Sequence, residues 1–436
     1  MLLPPAAAET LSEALATSYL SNPQLLAGRA ELRATNEFVP QALSGWRPTI
    51  TGNASVGKTW VDSGFANERQ DFEPRLAGVS LDQPVYRGGR TVAGTREAEH
   101  LVLAQRARLV SVEQDVLLQT VTAYMDVLRD EAVLELNKNN ESVLKRQLDA
   151  SRDRFEVGEI TRTDVAQSEA RLSGAVASVT AAEGLLIASR ARYVEVVGQT
   201  PGKLETPPIT SGLPQTLDEA LRVAVVANPD VVAADYVERA AQDGVDVVFG
   251  ELLPSVNFNT SIERTKEFSG QTDDDTSARV ELQLVVPFYQ AGQTTSRVRE
   301  AKKRASQRRL ELAQQRRTAE QFATSAWQAF STAQAQIVSF EDQVRSNEIA
   351  LEGVREEASV GSRTVLDVLD AEQELLDARV NLVRAKRDEI VAAFQILASV
   401  GNLTARDLDL PVEYYDYQAD YLRVRNKIWG VSVVED

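Results

Sequence analysis

The chain is internally duplicated, and this duplication constrains its fold more than any other feature of the sequence. Residues 10–15 are repeated with one change at 216–221, and Asn22-Pro23 is repeated as Asn228-Pro229, an offset of 206 residues. From Pro84 onward the offset between matching residues is 203. Because a loop absorbs a change of length at little cost, the slip of three residues predicts a loop between Pro48 and Pro84. Two copies of about 200 residues indicate homologous halves rather than a solenoid of short repeats.

Each half predicts the same order of elements: a helix, two strands, a long helix, a turn and a returning helix. Helical segments are expected over 10–44 and 216–247, and the hydrophobic period then changes to two, which is typical of strands. Apolar or small residues alternate with polar ones over 49–60 and again over 256–263. Return strands follow in both halves, and the predicted polar loops between paired strands are Asp62–Asp71 and Ser269–Ser277.

The predicted strands allow two interpretations. Segments of about ten residues with one polar face fit a membrane barrel around a wet lumen. An ordinary soluble hairpin with one solvated face fits equally well. Four strands per chain cannot close a barrel, and open strand edges cannot sit in lipid. The membrane interpretation therefore requires several copies of the chain to contribute strands to one barrel.

Residues 92–156 and 295–359 each predict one unusually long helix, because few helix breakers occur in them. Roughly 65 residues at ~1.5 Å each give a helix of about 100 Å, which needs partner helices along its length. The returning segments can supply them, since their apolar residues recur every ~3.5 residues and predict left-handed pairing. These positions are Leu172, Ala175, Val179, Ala182, Leu186, Ser189, Tyr193 and Val196, and in the second half Leu375, Ala378, Leu382, Ala385, Glu389, Ala392 and Ile396.

A tight reversal is predicted between the long helix and the returning helix of each half. Gly361 can adopt the left-handed conformation that ends a helix, and Thr364 can cap the next helix with Asp367 as the capping-box acid. The first half repeats these signals at Gly158, Thr161 and Asp164. Asp370 shares a helix face with Asp367 but has no evident capping role, which favours a functional role for its carboxylate.

Composition disfavours several classes of protein. The chain carries 47 Lys and Arg against 64 Asp and Glu, a net charge of −17, which argues against a nucleic-acid binder. The absence of cysteine rules out a disulfide framework and a thiolate metal site. The single histidine, His100, is interpreted as an ordinary helix residue, so serine-histidine-aspartate and multi-histidine metal chemistry are disfavoured. Neither an enzymatic activity nor a cofactor is expected.

Signals for membranes and targeting are weak along the chain. No run of 18 or more apolar residues predicts a transmembrane helix. Residues 1–8 resemble the end of a secretory signal peptide, and the mature chain is expected to begin near Glu9. Trp46 and Trp60 fit either a membrane interface or a packed core. A basic cluster opens the second long helix and predicts a solvated face, with contact to phosphate-bearing lipid as the weaker option; it comprises Arg297, Arg299, Lys302, Lys303, Arg304, Arg308 and Arg309.

The duplicated order of elements resembles the TolC-type outer membrane factors, the outer membrane efflux protein family. The resemblance covers nearly everything from Glu9 to Leu410, and it is carried by the Asn-Pro pairs, the two Val-Gly turns and the strand exits Pro84-Val85-Tyr86 and Pro287-Phe288-Tyr289. It implies a mostly α fold with a membrane β part: a homotrimer whose 12-stranded barrel in the outer membrane continues into a long α-helical coiled-coil barrel in the periplasm. The implied function is the exit duct of a tripartite efflux pump or a type I secretion system. Its implied partners are outer-membrane lipid, a periplasmic adaptor protein and an inner-membrane transporter, and no nucleic acid.

The resemblance also implies boundaries along the chain. Residues 9–47, 85–253 and 288–402 would form the helical barrel, 48–84 and 254–287 the membrane hairpins, and 403–436 a C-terminal tail packed on the helices. Proline interrupts a strand ladder and fixes the local backbone, so it suits a junction between barrel and helices. The predicted junction residues are Pro48, Pro84, Pro254 and Pro287.

A periplasmic gate at the helix turns is implied as well, formed by Thr163, Asp164, Arg363, Asp367 and Asp370. Arg363 would bond to Thr163 and Asp164 in the closed state, and Asp367 and Asp370 would form acidic rings. Crowded acids attract cations, so cation preference and block by multivalent cations are predicted. Ala358 stands where the family pattern has tyrosine, so closure is expected to depend more on Arg363. The turn tips would contact the adaptor through Val157, Gly158, Val360 and Gly361.

The alternative is a periplasmic coiled-coil adaptor or scaffold. An adaptor would normally show one helical hairpin flanked by compact β domains rather than this duplicated order. It also would not need lipid-facing strands. Detergent dependence and single-channel currents would separate the two.

Overall fold

The computed structural model describes residues 9–63, 68–208, 212–266 and 274–432. The chain divides into two compact units, and each contains segments from both sequence halves. The first unit comprises the residues up to Ala30 together with Ala107–Val232 and Gln314–Tyr415. The second comprises Glu31–Arg106, Ala233–Ala313 and the residues from Asp416 onward.

The two halves contain matching elements. The first half has α1 (Leu11–Ser21), α2 (Pro23–Asn36), α3 (Phe38–Leu43), β1 (Thr49–Val56), β2 (Thr59–Ser63), β3 (Glu68–Phe72), β4 (Arg75–Arg87), α4 (Arg90–Glu156) and α5 (Arg162–Val197). The second has α6 (Leu217–Ala227), α7 (Pro229–Phe249), β5 (Ser255–Lys266), β6 (Asp274–Val285), α8 (Gln293–Ser359) and α9 (Val365–Ser399). Helix α10 (Tyr417–Arg425) follows.

The long helices and their heptad partners are confirmed. Helices α4 and α8 each contain 67 residues and end at the predicted turns. Seven of the eight predicted heptad positions of α5 are buried, from Ala175 to Val196, and Leu172 packs against a buried cluster. On α9 the alanines Ala378, Ala385 and Ala392 are buried. Small side chains at these positions allow neighbouring helices to approach closely.

The helical segments predicted over 10–44 and 216–247 are helical but divided, because the chain starts a new helix at each Asn-Pro pair. Asn22 Oδ1 accepts the Gln24 amide at 2.9 Å, and Asn22 Nδ2 donates to the Val196 carbonyl at 2.8 Å. Asn228 makes the equivalent bonds to the Asp230 amide and to the Ser399 carbonyl. Each asparagine therefore caps one helix and ties it to the end of a returning helix, while proline occupies the first helical position.

Four strands form one antiparallel sheet in the order β1-β4-β5-β6. Strand β4 from the first half pairs with β5 from the second, for example Val79 with Ile262, so the halves are joined through their backbones. Strands β1 and β6 are the two edges of this sheet within the described residues. The whole sheet belongs to the second unit.

Two predictions about the hairpins need correction. Strand β2 pairs with β3, so much of the predicted loop Asp62–Asp71 is a two-stranded extension of the hairpin. Residues 269–273 of the second predicted loop lie outside the described residues, and 274–277 belong to β6. Pro84 does not end its strand: it pairs with Asn257 inside β4, where the register shifts between Pro84 and Tyr86. A bulge accommodates the missing amide there.

Within the described residues, the C-terminal tail contains one helix, α10. Tyr421 of α10 packs against a cluster formed by Val39, Ala98 and Val102. The Arg106 guanidinium lies over the rings of Tyr417 and Tyr421, 5.1 and 5.0 Å from their centroids. These contacts fix the helix within the second unit.

One described helix, α5, is long and apolar enough to cross a membrane by length and composition, with an 18-residue window of mean hydropathy 1.4. Length and composition alone do not place α5 in a membrane, so the expectation of no transmembrane helix stays a prediction. The heptad residues of α5 are buried in the first unit, while Leu185 and Ile187 on the helix are exposed. Leu185 and Ile187 are two positions apart and flank the buried row on opposite sides, so α5 keeps uncovered apolar side chains on both flanks in the single chain.

Candidate functional site

The reversals after α4 and α8 have the same backbone geometry. Gly158 and Gly361 have φ angles of 80° and 82°, the left-handed region that glycine adopts without strain. The Glu159 amide donates to the Arg154 carbonyl at 2.9 Å, and the Ser362 amide donates to the Glu357 carbonyl at 2.9 Å. These bonds close the helix ends in Schellman motifs. Both turns are thus specified by local sequence.

The helices that follow begin with capping boxes, as the sequence predicts. Asp164 Oδ2 accepts the Thr161 amide and hydroxyl, both at 2.8 Å, and Thr161 Oγ1 accepts the Asp164 amide at 3.3 Å. Thr364 and Asp367 form the same box. The Thr364 hydroxyl and amide, with a smaller contribution from Arg363, lower the pKa of Asp367. Asp367 is therefore ionised at neutral pH.

Each turn also carries an ion pair, and the order of charges is reversed between the halves. In the first half Arg154 on the helix donates to Glu159 in the turn, at 3.1 Å. In the second half Glu357 on the helix accepts from Arg363 Nε in the turn, at 2.8 Å. Glu357 raises the pKa of Arg363. In the single chain Arg363 is thus held by its own turn, and its bond to Thr163 and Asp164 stays a prediction about the assembled protein.

A second set of ion pairs joins the helices on either side of each turn. Arg152 donates to Glu169 at 2.7 Å, and Arg355 donates to Glu372. Both arginines lie 17 residues before their partners, and the two pairs are related by the 203-residue offset. Sequence reasoning missed these pairs, although their recurrence at the repeat offset would have revealed them.

Asp370 has a partner that the sequence did not suggest. Its carboxylate accepts from Arg171, which joins α9 to α5 close to both turns. Both side chains are exposed to solvent in the single chain. In the single chain the arginine offsets the charge of Asp370 with a cation from the other sequence half, and the acidic rings stay a prediction about the assembled protein.

Ala358, where the family pattern has tyrosine, is buried with Leu351, Val368 and Leu375. Its small side chain lies at the interface of α8 and α9, so these helices stay closely packed up to the turn.

The valines at the two turn tips are exposed to solvent, unlike Ala358. Val157 is 72% exposed and Val360 is 78% exposed.

Far along the sequence from the turns, the four-stranded sheet exposes an apolar face. Residues paired across antiparallel strands share a face, and the register aligns Ile50 with Leu81 and Val79 with Ile262. The aligned side chains of β6 are also apolar, and Val280 and Leu282 are 72% and 67% exposed. The opposite face is mostly polar, with Thr51, Ser80, Ser261 and Arg279 in one row. The soluble-hairpin interpretation offers no cover for such an apolar surface.

The remaining predicted residues have varied surroundings. Pro48 and Pro254 each precede a strand by one residue, and Pro287 follows β6 by two.

Trp46 and Trp60 are exposed, which excludes core packing. His100 Nδ1 donates a 2.7 Å hydrogen bond to Asp243 Oδ2, and its ring stacks on Tyr236. Members of the basic cluster pair with nearby acids, such as Arg304 with Glu300, in agreement with a solvated helix face.

Comparison with known proteins decides among the remaining interpretations. Residues 12–199 and 220–402, well over half of the chain, match the family of outer membrane efflux proteins. The chain belongs to the outer membrane efflux protein family. The outer membrane efflux protein BepC of Brucella suis biovar 1 is 35% identical over 431 residues, which cover 98% of this chain and 92% of BepC. The outer membrane protein TolC of Vibrio cholerae is 28% identical and covers 92% of both chains.

Solved structures agree with this fold. The outer-membrane channel OprN has a TM-score of 0.81 at 22% identity and covers 90% of this chain and 89% of its own. The CmeC outer membrane channel of Campylobacter jejuni has a TM-score of 0.83 at 14% identity and covers 95% and 89%. This efflux protein therefore functions as an outer-membrane channel that extends into the periplasm. The adaptor alternative is not supported, and the family consists of channels rather than enzymes.

Proposed function

We propose that three copies of this efflux protein close one 12-stranded barrel in the outer membrane, continuous with a helical tunnel, and so form the exit duct of a tripartite pump or a type I secretion system. The observation that carries this proposal is the four-stranded sheet with an exposed apolar face and two open edges. Unpaired strand edges are not tolerated in lipid, so β1 and β6 need partners. Two copies would give a small barrel with little lumen, whereas three leave a passage.

The exposed apolar side chains of α5 support assembly in the same way. Ile187 would be covered by a helix of a neighbouring copy, as expected in a barrel of paired helices. Lipid would cover Val280, Leu282 and the rest of the sheet's apolar face. The polar face of the sheet would line the lumen.

Cross-linking between engineered cysteines tests the ring. The natural chain has no cysteine, so two introduced residues are the only thiols. Thr51→Cys on β1 is combined in turn with Ser277→Cys, Arg279→Cys or Glu281→Cys on β6. We expect one combination to give a covalent trimer on non-reducing gels after oxidation in membranes.

The matched control places both cysteines inside one chain. Ser80 and Ser261 are directly paired across β4 and β5, so the Ser80→Cys, Ser261→Cys variant should cross-link internally and migrate as a monomer. Monomers only, from every β1 and β6 combination in membranes where the control cross-links, would refute the ring. A ladder that ends at another number of copies would refute the trimer.

The gate belongs to the same proposal. Arg363 lies near Asp367 and Arg171 pairs with Asp370. Closure would depend on Arg363 bonding to Thr163 and Asp164 once copies assemble. Asp367 and Asp370 would make the constriction attractive to cations. In the open state Arg363 would return to Glu357, its partner in the single chain.

The proposed partners are a periplasmic adaptor protein and an inner-membrane transporter. The tips of the turns, Val157-Gly158 and Val360-Gly361, would dock on the adaptor, because two exposed valines on closed, well-capped turns offer a firm apolar contact. Relatives at 24% identity include the alkaline protease secretion protein AprF of Pseudomonas aeruginosa, and the 35% identical relative BepC is an efflux protein. Both export of small molecules and secretion of proteins therefore fit this architecture.

A further inference from the structure

The chain after α10 exposes three apolar side chains in a run of four residues. Ile428 is 74% exposed, Trp429 is 91% exposed and Val431 is 99% exposed. A tryptophan left almost fully in water is uncommon, because burying its ring is strongly favourable. Nothing in the described part of this chain covers these side chains, which indicates that their cover lies outside the described residues.

Contacts within the second unit define where this segment lies. Tyr421 packs against the cluster that contains Val39 of α3. Six residues later the Lys427 carbonyl accepts a hydrogen bond from Arg47 Nη1 at 3.2 Å. Arg47 stands two residues before β1. The tail thus runs beside the segment that leads from α3 to the first strand, and residues 428–431 follow where that strand begins.

This end of the sheet is the one that joins the helices, and it is rich in aromatic side chains. Strand β1 begins there, β4 ends there at Arg87, and Arg87 pairs with Ser255 at the start of β5. Ser255 in turn pairs with Val285, the last residue of β6. Exposed aromatic residues at this end are Trp46, Tyr86, Phe288 and Tyr289. Aromatic rings concentrate at the boundary between hydrocarbon and water.

We propose that residues 428–431 form an interfacial anchor, in which Trp429 inserts among the phospholipid headgroups of the periplasmic leaflet of the outer membrane. This inference rests on the proposed function in one respect, the lipid contact of the sheet. The apolar face of that sheet begins at Ile50, close in sequence to Arg47, which holds the tail. The position of the tail therefore brings residues 428–431 to the lipid that would cover this face of the sheet.

The anchor would act on the junction between strands and helices. Tyr421, Arg425 and Arg106 hold α10 on the second unit, and Arg425 Nη2 donates to Glu99 at 3.1 Å. A short, firmly packed helix followed by an apolar tip would fix the depth at which each copy meets the bilayer.

Tryptophan fluorescence in lipid vesicles tests the anchor. Trp429 is one of four tryptophans, so a variant with Trp46→Phe, Trp60→Phe and Trp327→Phe reports on Trp429 alone. The full chain is reconstituted in phosphatidylcholine vesicles whose acyl chains carry bromine either near the headgroup or near the chain end. We expect bromine near the headgroup to reduce the emission about twofold or more, and bromine near the chain end to have a smaller effect.

A second variant separates failure of the anchor from failure of the membrane barrel. It carries Trp429→Phe and Leu282→Trp in the same background, so its only tryptophan lies on the exposed apolar face of β6. Quenching of this variant's emission by bromine near the chain end, together with ionic currents, would establish a folded barrel in lipid. If that variant is quenched and Trp429 is not, the anchor is refuted while the barrel stands.

The remaining outcomes also discriminate between the two proposals. Trp429 emission that resists both brominated lipid and aqueous acrylamide would mean that another protein surface, such as a second copy, covers it, and the lipid anchor would be wrong. Emission quenched by acrylamide alone would place the ring in water and would likewise refute the anchor. If neither tryptophan senses bromine, the membrane barrel itself fails.

Discussion

At the residue scale, the charges around the turns form two kinds of contact with different roles. Arg152 with Glu169 and Arg355 with Glu372 tie the two helices of one hairpin. Arg171 with Asp370 instead ties one sequence half to the other. If the gate opens by moving the two sequence halves apart, the pair of Arg171 with Asp370 must break. The pairs within each hairpin could then stay intact. Arg171 and Arg363 are therefore the arginines whose loss should affect conduction.

Single-channel currents of purified protein in planar bilayers test this assignment. Arg363→Ala should raise the conductance, because it removes the proposed bond that holds the gate closed. Arg171→Ala should strengthen block by a trivalent cation roughly severalfold, because Asp370 loses the cation that offsets its charge. Its matched control is Arg152→Ala, which removes an exposed arginine from a pair within one hairpin and should leave the block unchanged.

Two results would contradict the assignment. Unchanged conductance in Arg363→Ala would remove Arg363 as the lock. Equal block in Arg171→Ala and Arg152→Ala would mean that Asp370 does not face the conduction path. An Asp367→Ala, Asp370→Ala variant gives a further measurement, since weaker cation block is expected when both acids are lost.

At the element scale, the paired helices depend on small residues at their contacts. Ala378 on α9 is completely buried. Ala378→Leu should destabilise the protein by about 1–3 kcal/mol, because extra methylene groups in a close-packed interface force neighbouring side chains or backbone to shift. Thermal unfolding followed by the helical circular dichroism signal measures the effect. Ala335→Leu, at an exposed position of α8, is the control and should cost much less; an equal loss in both variants would refute close packing at Ala378.

Much of the secondary structure could be predicted from the sequence, because its determinants are local. The ends of α4 and α8 coincide with glycines that must adopt positive φ, and the capping boxes lie within four residues. The Asn-Pro helix breaks were missed because hydrophobic periodicity continues across them, although asparagine before proline is a capping signal. Pro84 was misjudged because a bulge can absorb a proline inside a strand.

Contacts between distant helices could not be predicted in the same way. Arg171 and Asp370 are 199 residues apart in sequence. Their meeting depends on how α5 and α9 are rotated and staggered, which periodicity alone does not specify. The tail shows a related limit: it was expected to pack on the helices, but the sequence did not indicate that Tyr421 would be packed and Trp429 exposed.

At the scale of the whole molecule, the two faces of one strand are expected to meet different solvents. Val280 and Glu281 are neighbours on β6 and point to opposite faces of the sheet. Val280→Lys should impair insertion, since lysine on a lipid-facing strand costs about 2–4 kcal/mol near the bilayer midplane. Glu281→Lys should insert normally and shift the reversal potential towards anions, because it changes the charge of the lumen.

Folding into vesicles and the reversal potential in a salt gradient measure these two effects. The variants differ by one position and introduce the same side chain, so each serves as the control for the other. Exchange of the two phenotypes would mean that the sheet is inside out relative to the proposal. Normal insertion of both would mean that Val280 does not contact lipid.

The duplicated sheet has a consequence for how such a ring can be built. In the proposed ring the junction of β6 with β1 of the next copy joins a second-half hairpin to a first-half hairpin, as β4 and β5 do inside each chain. Six hairpins would then be related by approximate sixfold symmetry, with alternate junctions already made by chain connectivity. Closure needs three molecules to meet instead of six, so it can occur at lower concentration. Because both halves lie in one chain, matching positions of the two halves can also carry different residues. The reversed ion pairs, Arg154 with Glu159 and Glu357 with Arg363, are an example.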